Sequence, residues 1–349
     1  MGEIKGQGKV MKAAIFRGAR RVEVVEVPVP EVGADEVLVR VHYCGICGSD
    51  LEAYHTGMYE PNIIIGHEFA GDVVAVGEGV DSWAVGDRVT VSNVIPCGHC
   101  PYCLREQPTL CESLLVPGIT LNGGMAEHAV LPARALLRLP DGVSIRQGAL
   151  VEPLAVALHG VRRSALRSGD RVLVMGAGTI GLLTAQCALL AGAGEVYLSE
   201  IDPNRVALAK QWNASAVFDP QRQNLAVELS SRTGGEGPAV VYICTGAPPA
   251  LEDAVTLVGK GGQIVVLGLV VEPMAADFLT LVLNELDIRG SYLGYEEFPA
   301  ALKCVAQRRI DVEKLISHEI GLADIVVQGF ERLERPGTGA VKVLVKLIS

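Results

Sequence analysis

Apolar and polar residues alternate with a period of two through much of the first 150 positions. Residues 12–16, 21–27, 36–43, 71–76 and 88–91 either alternate or run β-branched, and Pro28, Pro30, Gly33, Gly77, Gly79 and Gly86 punctuate them. Every second side chain of a strand faces the same side of a sheet, so this pattern predicts an all-β region with long loops. From about residue 155 to 288 the texture changes to short apolar strands separated by helical stretches. Strands are predicted over 171–175, 195–199, 240–244 and 263–267, with helices from the first of these to Ala191 and over 203–212. Strands alternating with helices of that length imply parallel βαβ units and a doubly wound sheet. The last stretch predicts a helix over 297–308 and a closing strand over 341–347, and residues 1–10, rich in Gly, Lys and Glu, predict a disordered extension.

The fold class is therefore α/β, with a β-rich unit and a doubly wound unit. The expected division is 11–154, then 155–290, then a return to the first unit over 291–349. A length of 349 residues suits two domains better than one core. A formal charge of -10 without any long Lys/Arg block excludes nucleic acid or an anionic membrane as the main partner. No apolar run approaches the roughly 18 residues that span a bilayer, and residues 1–10 lack the apolar centre of a signal peptide. Nine cysteines is an odd number. Four fall between 97 and 111, while Cys187, Cys244 and Cys304 sit in apolar segments. Metal ligands plus buried thiols in a reducing cytoplasm fit this better than a disulfide framework.

Gly176-Ala177-Gly178-Thr179-Ile180-Gly181 follows the predicted strand 171–175 and opens an apolar helix. Gly176 suits a tight turn, Gly178 close approach of a pyrophosphate, and Gly181 packing of helix on strand, with phosphate at the helix N-terminus. An acid about 20 residues on completes the dinucleotide pattern. Glu200 is that acid. Its carboxylate can accept ribose hydroxyls and repel a 2'-phosphate, which favours NAD(H), whereas Arg205 is a cation able to hold such a phosphate. Asp202, before Pro203, reads as a helix N-cap. Cys244 and Leu267, ending the strands 240–244 and 263–267, are counted with the cofactor site.

Cys97, Cys100, Cys103 and Cys111 are separated by two, two and seven residues, with Gly98 and Pro101 to turn the chain. Four thiolates so placed can close a tetrahedral shell around structural Zn²⁺, in a lobe over about 93–115, with an iron-sulfur cluster as the alternative. Cys44-Gly45-Ile46-Cys47-Gly48-Ser49-Asp50 is ambiguous alone: half a zinc site, a redox dithiol, or one functional thiol beside a packing residue. Gly66-His67-Glu68 and Val151-Glu152-Pro153 supply an imidazole and carboxylates from separated loops. With a thiolate these form the mixture an open, catalytic zinc site uses. His42, His55, His99 and His128 lack such company.

Taken together, Gly45 to Asp50, Gly66-His67-Glu68, the four-cysteine lobe, Val151-Glu152-Pro153-Leu154 and the glycine-rich turn resemble the zinc-dependent medium-chain dehydrogenase/reductase (alcohol dehydrogenase) family. The likeness runs from Met11 to the last residue and is greatest to the sorbitol and butanediol dehydrogenase branch. It implies a GroES-like catalytic domain interrupted in sequence by a Rossmann NAD-binding domain, and a homo-oligomer, dimer or tetramer. It further implies two Zn²⁺ per chain, one catalytic and one structural. Cys47 and His67 become ligands of the catalytic zinc, and Glu68 and Glu152 the carboxylates that bind it directly, through water or in exchange. Ser49 matches the hydroxyl that hydrogen-bonds the reacting alcohol, and Cys44 becomes a packing thiol.

This implies a cytoplasmic oxidoreductase that passes hydride between a secondary alcohol (a diol, polyol or sugar derivative) and NAD, through zinc Lewis acidity. Two departures bear on this. Many relatives carry a proton-relay histidine five residues after the cysteine ligand, where this chain has Glu52, with His55 three positions on. Sorbitol dehydrogenases carry an arginine near the late strand, where Ser291-Tyr292-Leu293-Gly294-Tyr295 offers none. Sorbitol is therefore not named as substrate. The competing enzyme readings are a threonine dehydrogenase-like activity or a broad alcohol/aldehyde reductase. The reading from another class is a zinc- and nucleotide-binding redox sensor.

Overall fold

The computed structural model describes residues 9–273 and 275–348. The extension expected over 1–10 lies outside them except at its end, and there the expectation is corrected: Val10 begins a strand by pairing with Pro28, and the Lys9 carbonyl accepts from Val29 N.

The chain divides into two compact units. One runs to Glu152 and resumes over Leu302–Glu334 and from Lys342; the other is Pro153–Ala301 with Arg335–Val341. Two boundaries differ from the sequence reading. Residues 291–301 stay with the α/β unit, because Asp287–Gly290 is a further strand of its sheet and Glu297 is paired with His159 and Arg162. Residues 335–341 also belong there. Asp202 Oδ2 accepts from Gly337 N at 2.9 Å, Arg205 Nη2 donates to the Ala340 carbonyl at 3.0 Å, and Thr179 Oγ1 donates to the Val341 carbonyl at 3.0 Å.

The first unit is β-rich. Its main sheet runs in the order Ile316–Gly321, Lys342–Lys346, Glu36–Gly45, Glu68–Val76, Arg88–Val91, Leu136–Arg138, and His128–Pro132 also pairs with Glu36–Gly45. A smaller antiparallel sheet joins Arg21–Pro28, Val10–Gly18 and Ile63–Ile64. Inward-facing Phe16, Val39, Val41, Phe69, Val73, Val89, Val343 and Val345 form one core with Phe330. Each such side chain contributes about 1.5–3 kcal/mol when fully buried. The register places Gly45 opposite Glu68 on one side and Leu344 on the other, so residues from three distant stretches of sequence meet at one end of this sheet.

The second unit holds a six-stranded parallel sheet. Its order is Ala216–Phe218, Glu195–Ser199, Arg171–Met175, Val240–Ile243, Gln263–Val266, Asp287–Gly290. By chain order within the unit this is 3-2-1-4-5-6, the doubly wound arrangement with its switch point beside the first strand. Both faces are covered, so the central strands are continuously apolar: Val172, Leu173, Val174, Val240, Val241, Ile243, Ile264 and Val265 are buried. Two short strands, Ala216–Phe218 and Asp287–Gly290, were not predicted, and the helix expected over 203–212 is helical only over Pro203–Ala209.

Candidate metal centre and dinucleotide site

Cys47 is the residue before the helix Gly48–Thr56, and its backbone N–H donates to Asp50 Oδ2 at 3.0 Å, closing the helix's first turn around the thiol. His67 precedes the strand Glu68–Val76, and Glu68 is its first residue. The ligand atoms of Cys47, His67 and Glu68 all lie within 4.8 Å of one another. Glu152 belongs to the first turn of the helix Val151–Arg162 rather than to a loop, as the sequence reading had it. It is buried, and Asn93 Nδ2 donates to its Oε1. Gly45 makes room for the cluster, since a Cβ there would stand 2.1 Å from Glu68 Oε2.

His67 turns Nε2 toward Ser49 Oγ at 3.5 Å and Nδ1 toward Asp50 Oδ1 at 3.7 Å, and Nδ1 has no hydrogen-bond partner. The Asp50 carboxylate behind the imidazole acts on it through charge, favouring its protonated form. Lys342 approaches Glu68 from the strand Lys342–Lys346: Nζ donates to Oε2 at 2.6 Å, to Oε1 at 2.8 Å and to the Ile46 carbonyl at 2.9 Å.

The electrostatics of these groups are unfavourable without a cation. Burial, then the neighbouring Glu68 charge, push the Cys47 thiol up to about 12. Burial likewise raises Glu152 well above the carboxylate range. His67 is raised: burial opposes its charge, but Asp50, Glu152 and Glu68 outweigh that. The Cys47 thiol and the Glu152 carboxyl, which burial drives toward protonation, and the His67 imidazole, which the nearby carboxylates drive the same way, belong to the donor set that a bound Zn²⁺ would hold deprotonated. The residues fit the metal.

The four lobe cysteines also lie within 4.8 Å of one another. Cys97 Sγ is 3.9 Å and Cys100 Sγ 3.5 Å from Cys103 Sγ. A tetrahedron with Zn–S bonds of about 2.3 Å has edges of about 3.8 Å. Backbone N–H groups of His99 and Cys100 point at Cys97 Sγ, and that of Cys97 at Cys111 Sγ. Backbone N–H donors hold Cys97 below the usual thiol range and bring Cys100 down to about 6. These donors favour thiolates at Cys97 and Cys100, whereas burial pushes Cys103 up to about 12, and it is the convergence of the four sulfurs that fits a closed metal site.

In the second unit the glycine turn joins the strand Arg171–Met175 to the helix Thr179–Leu190. A Cβ on Gly181 would stand 1.8 Å from the Gly176 carbonyl, so only glycine allows this closeness, while the Cα of Gly178 faces open space. Ile180 follows in the first helical turn. Glu200 is folded back on this turn. Its Oε2 accepts from Ala177 N at 2.8 Å, and its Oε1 from Ile201 N and Asp202 N. Glu200 is expected to accept ribose hydroxyls, and three of its roughly four lone-pair sites are taken by these backbone groups. Arg205 donates through Nε and Nη2 to the Ala340 carbonyl. Cys244 Sγ sits 3.7 Å from Thr184 Oγ1, and Leu267 packs against Gly160.

Among the residues not assigned a role from sequence are Asp50, Lys342 and Asn93. Asp50 stands inside the motif around Cys47 and Lys342 opens an apolar strand, but their remote partners, His67 and Glu68, are brought to them only by the fold. His55, considered with Glu52 as an exit for the proton, is exposed and paired with Glu334.

Residues 33–141 match the alcohol dehydrogenase GroES-like domain and residues 179–307 the zinc-binding dehydrogenase domain. The chain is 32% identical over 323 residues to sorbitol dehydrogenase of Bacillus subtilis, covering 89% of this chain and 90% of that protein. It is 34% identical over 352 residues to (R,R)-butanediol dehydrogenase of the same organism, covering 96% and 99%. The crystal structure of a zinc-binding dehydrogenase from Sinorhizobium meliloti bound to NADP superposes with a TM-score of 0.90 at 34% identity, covering 97% of this chain and 99% of that one. With its GroES-like and parallel-sheet units, the chain belongs to the zinc-dependent medium-chain dehydrogenase/reductase family of alcohol dehydrogenases.

Proposed function

We propose that this enzyme oxidises a secondary alcohol bearing further hydroxyls, a diol, polyol or sugar derivative, with NAD⁺ as hydride acceptor. The observation that carries the reading is the open cluster of Cys47, His67 and Glu68, with Glu152 held beside it by Asn93. When bound, Zn²⁺ supplies Lewis acidity toward the alcohol oxygen and the nicotinamide takes the hydride.

The chain's own residues do the rest. Cys47 and His67 hold the metal, and Glu68 and Glu152 are the carboxylates able to bind it. The carboxylate of Asp50 stands 3.7 Å from His67 Nδ1 and favours the charged imidazole. Lys342 grips both oxygens of Glu68 and so leaves Glu152 the freer carboxylate. Ser49 Oγ, beside His67 Nε2, is placed to take the hydrogen bond of the reacting hydroxyl. Cys97, Cys100, Cys103 and Cys111 hold a second, structural Zn²⁺. In the second unit Gly176, Gly178, Thr179, Ile180 and Gly181 receive the pyrophosphate, and Glu200 stands at the ribose. Engagement of Arg205 by the Ala340 carbonyl supports NAD(H) over NADP(H).

Five of the nine cysteines are proposed metal ligands, which supports a reducing cytoplasm, and among the described residues no helix is long and apolar enough to cross a membrane. A homo-oligomer is proposed on family likeness. The test is NADH absorbance from a panel of diols, polyols, threonine and simple alcohols with NAD⁺ and NADP⁺. Turnover confined to threonine overturns the polyol assignment, and silence across the panel favours the sensor reading.

A further inference from the structure

Asn93 follows the strand Arg88–Val91 and is fully buried. One end of its amide is used: Nδ2 donates to Glu152 Oε1. The other end, Oδ1, is a buried acceptor with no partner. As the far end of the same planar amide, it cannot be remote from that carboxylate. When Glu152 is ionised it accepts and does not donate, so Nδ2 is then the end of the amide that faces it.

Lys342, Ser92 and Tyr59 direct their donors elsewhere. Lys342 directs its ammonium to the Ile46 carbonyl and to both oxygens of Glu68. Ser92 Oγ donates to the Val94 carbonyl at 3.1 Å. Tyr59 donates to Asp50. The Asn93 acceptor is thus a buried oxygen, on an amide bound to a carboxylate of the reaction, that has no hydrogen-bond partner among the described residues.

We propose that Asn93 is a specificity-determining residue, whose Oδ1 accepts a hydrogen bond from a substrate hydroxyl adjacent to the reacting carbinol. The inference rests on the alcohol dehydrogenase reading above and deepens it. The enzyme selects vicinal diols and polyols over simple secondary alcohols because only they carry a donor for this buried oxygen. A site built to pair a substrate hydroxyl disfavours the analogue lacking it, since the protein group is then left unpaired. The Nδ2 end of the same amide positions Glu152, so substrate recognition and carboxylate placement share one side chain.

The test pairs 2,3-butanediol with 2-butanol on the zinc-loaded enzyme with NAD⁺, measuring kcat and KM separately for wild type and Asn93→Leu. Loss of the Glu152 contact lowers turnover of both substrates, so the informative quantity is the diol-to-monoalcohol ratio of kcat/KM. That ratio is expected to fall by roughly ten- to a hundredfold in the variant. Binding of the diol to the enzyme–NADH complex, read by nicotinamide fluorescence, weakens in parallel. If Asn93→Leu folds poorly or loses zinc, Asn93→Ala carries the same comparison. A ratio unchanged within about twofold assigns Asn93 to Glu152 alone and overturns the proposal. Equal wild-type kcat/KM for the two substrates also overturns it while leaving the dehydrogenase reading intact. Turnover of neither, nor of any other alcohol, overturns both.

Discussion

The ammonium of Lys342 stands 2.6 and 2.8 Å from the two carboxylate oxygens of Glu68, and the two residues are 2% and 1% exposed. Removing one partner of such a buried pair leaves an uncompensated charge. Lys342→Met is expected to destabilise the protein by about 3–5 kcal/mol in urea unfolding. Lys342→Arg, which keeps the charge, is expected to lose less. Equal stability of Lys342→Met and wild type would show that Glu68 is neutral or otherwise paired.

Cys47 contributes the only thiol of its cluster. Cys47→Ser is expected to abolish alcohol oxidation and to lower bound zinc from about two to about one per chain. NADH binding, whose proposed residues lie in the other unit, is expected to persist, as fluorescence titration will check. Retained turnover would remove Cys47 from the metal centre.

The lobe should behave differently. Backbone N–H donors lower Cys100 while burial raises Cys103, so protons compete with metal for the lobe's sulfurs from neutral pH down through the acidic range. Zinc retention in the lobe is therefore expected to weaken as pH falls through this range, measured with a chromophoric chelator. Cys100→Ser is expected to lose the second metal and to lower thermal stability. A variant that keeps two metals contradicts the four-sulfur site.

Glu200 accepts three backbone N–H groups and so both shapes the glycine turn and keeps negative charge beside it. Glu200→Ser is expected to lower the NAD⁺/NADP⁺ preference in kcat/KM by roughly tenfold or more, because the repulsion of a 2'-phosphate is lost. An unchanged preference would place coenzyme choice elsewhere.

Glu297 sits against His159 and Arg162 of the helix Val151–Arg162. Burial acts to raise its carboxyl, but the hydrogen bonds and charges of those two residues outweigh it and hold it below the ordinary 4.5. Because the folded value is depressed, the stabilisation is present above the unfolded value and is lost as pH falls through the folded one. Glu297→Gln is expected to be less stable than wild type by roughly 1–2 kcal/mol at neutral pH, with the gap closing below about pH 4. A gap independent of pH would mean that the charge of Glu297 contributes nothing.

Much of this molecule was legible in the sequence because its signals are local. The alternation over 36–43 and 88–91 and the glycine turn after 171–175 depend on neighbours a few positions away, and the structure places strands and a turn there. Cys97, Cys100, Cys103 and Cys111 are likewise close in sequence, and their sulfurs converge. The parts not read depend on register between remote segments. Nothing near Lys342 announces Glu68, and nothing near Asn93 announces Glu152. The short strands Ile316–Gly321 and Asp287–Gly290 carry mostly exposed or half-exposed residues, so they lack the alternation that would mark them. The misplaced boundaries at 291–301 and 335–341 have the same origin, since side-chain clasps such as Asp202 to Gly337 hold these residues in the α/β unit.

The strand Lys342–Lys346 pairs with the end of Glu36–Gly45 and brings the ammonium for Glu68 from 274 residues further along the chain. During synthesis the segments bearing Cys47, His67 and Glu68 leave the ribosome long before that cation exists. The six strands of the α/β sheet are all made in the interval. The nascent metal centre therefore spends most of translation with a buried-to-be carboxylate unneutralised and one sheet edge open, the condition that exposes a chain to misassembly. Early capture of a metal cation would neutralise the same charge, so zinc supply can bear on the yield of folded enzyme before it bears on catalysis.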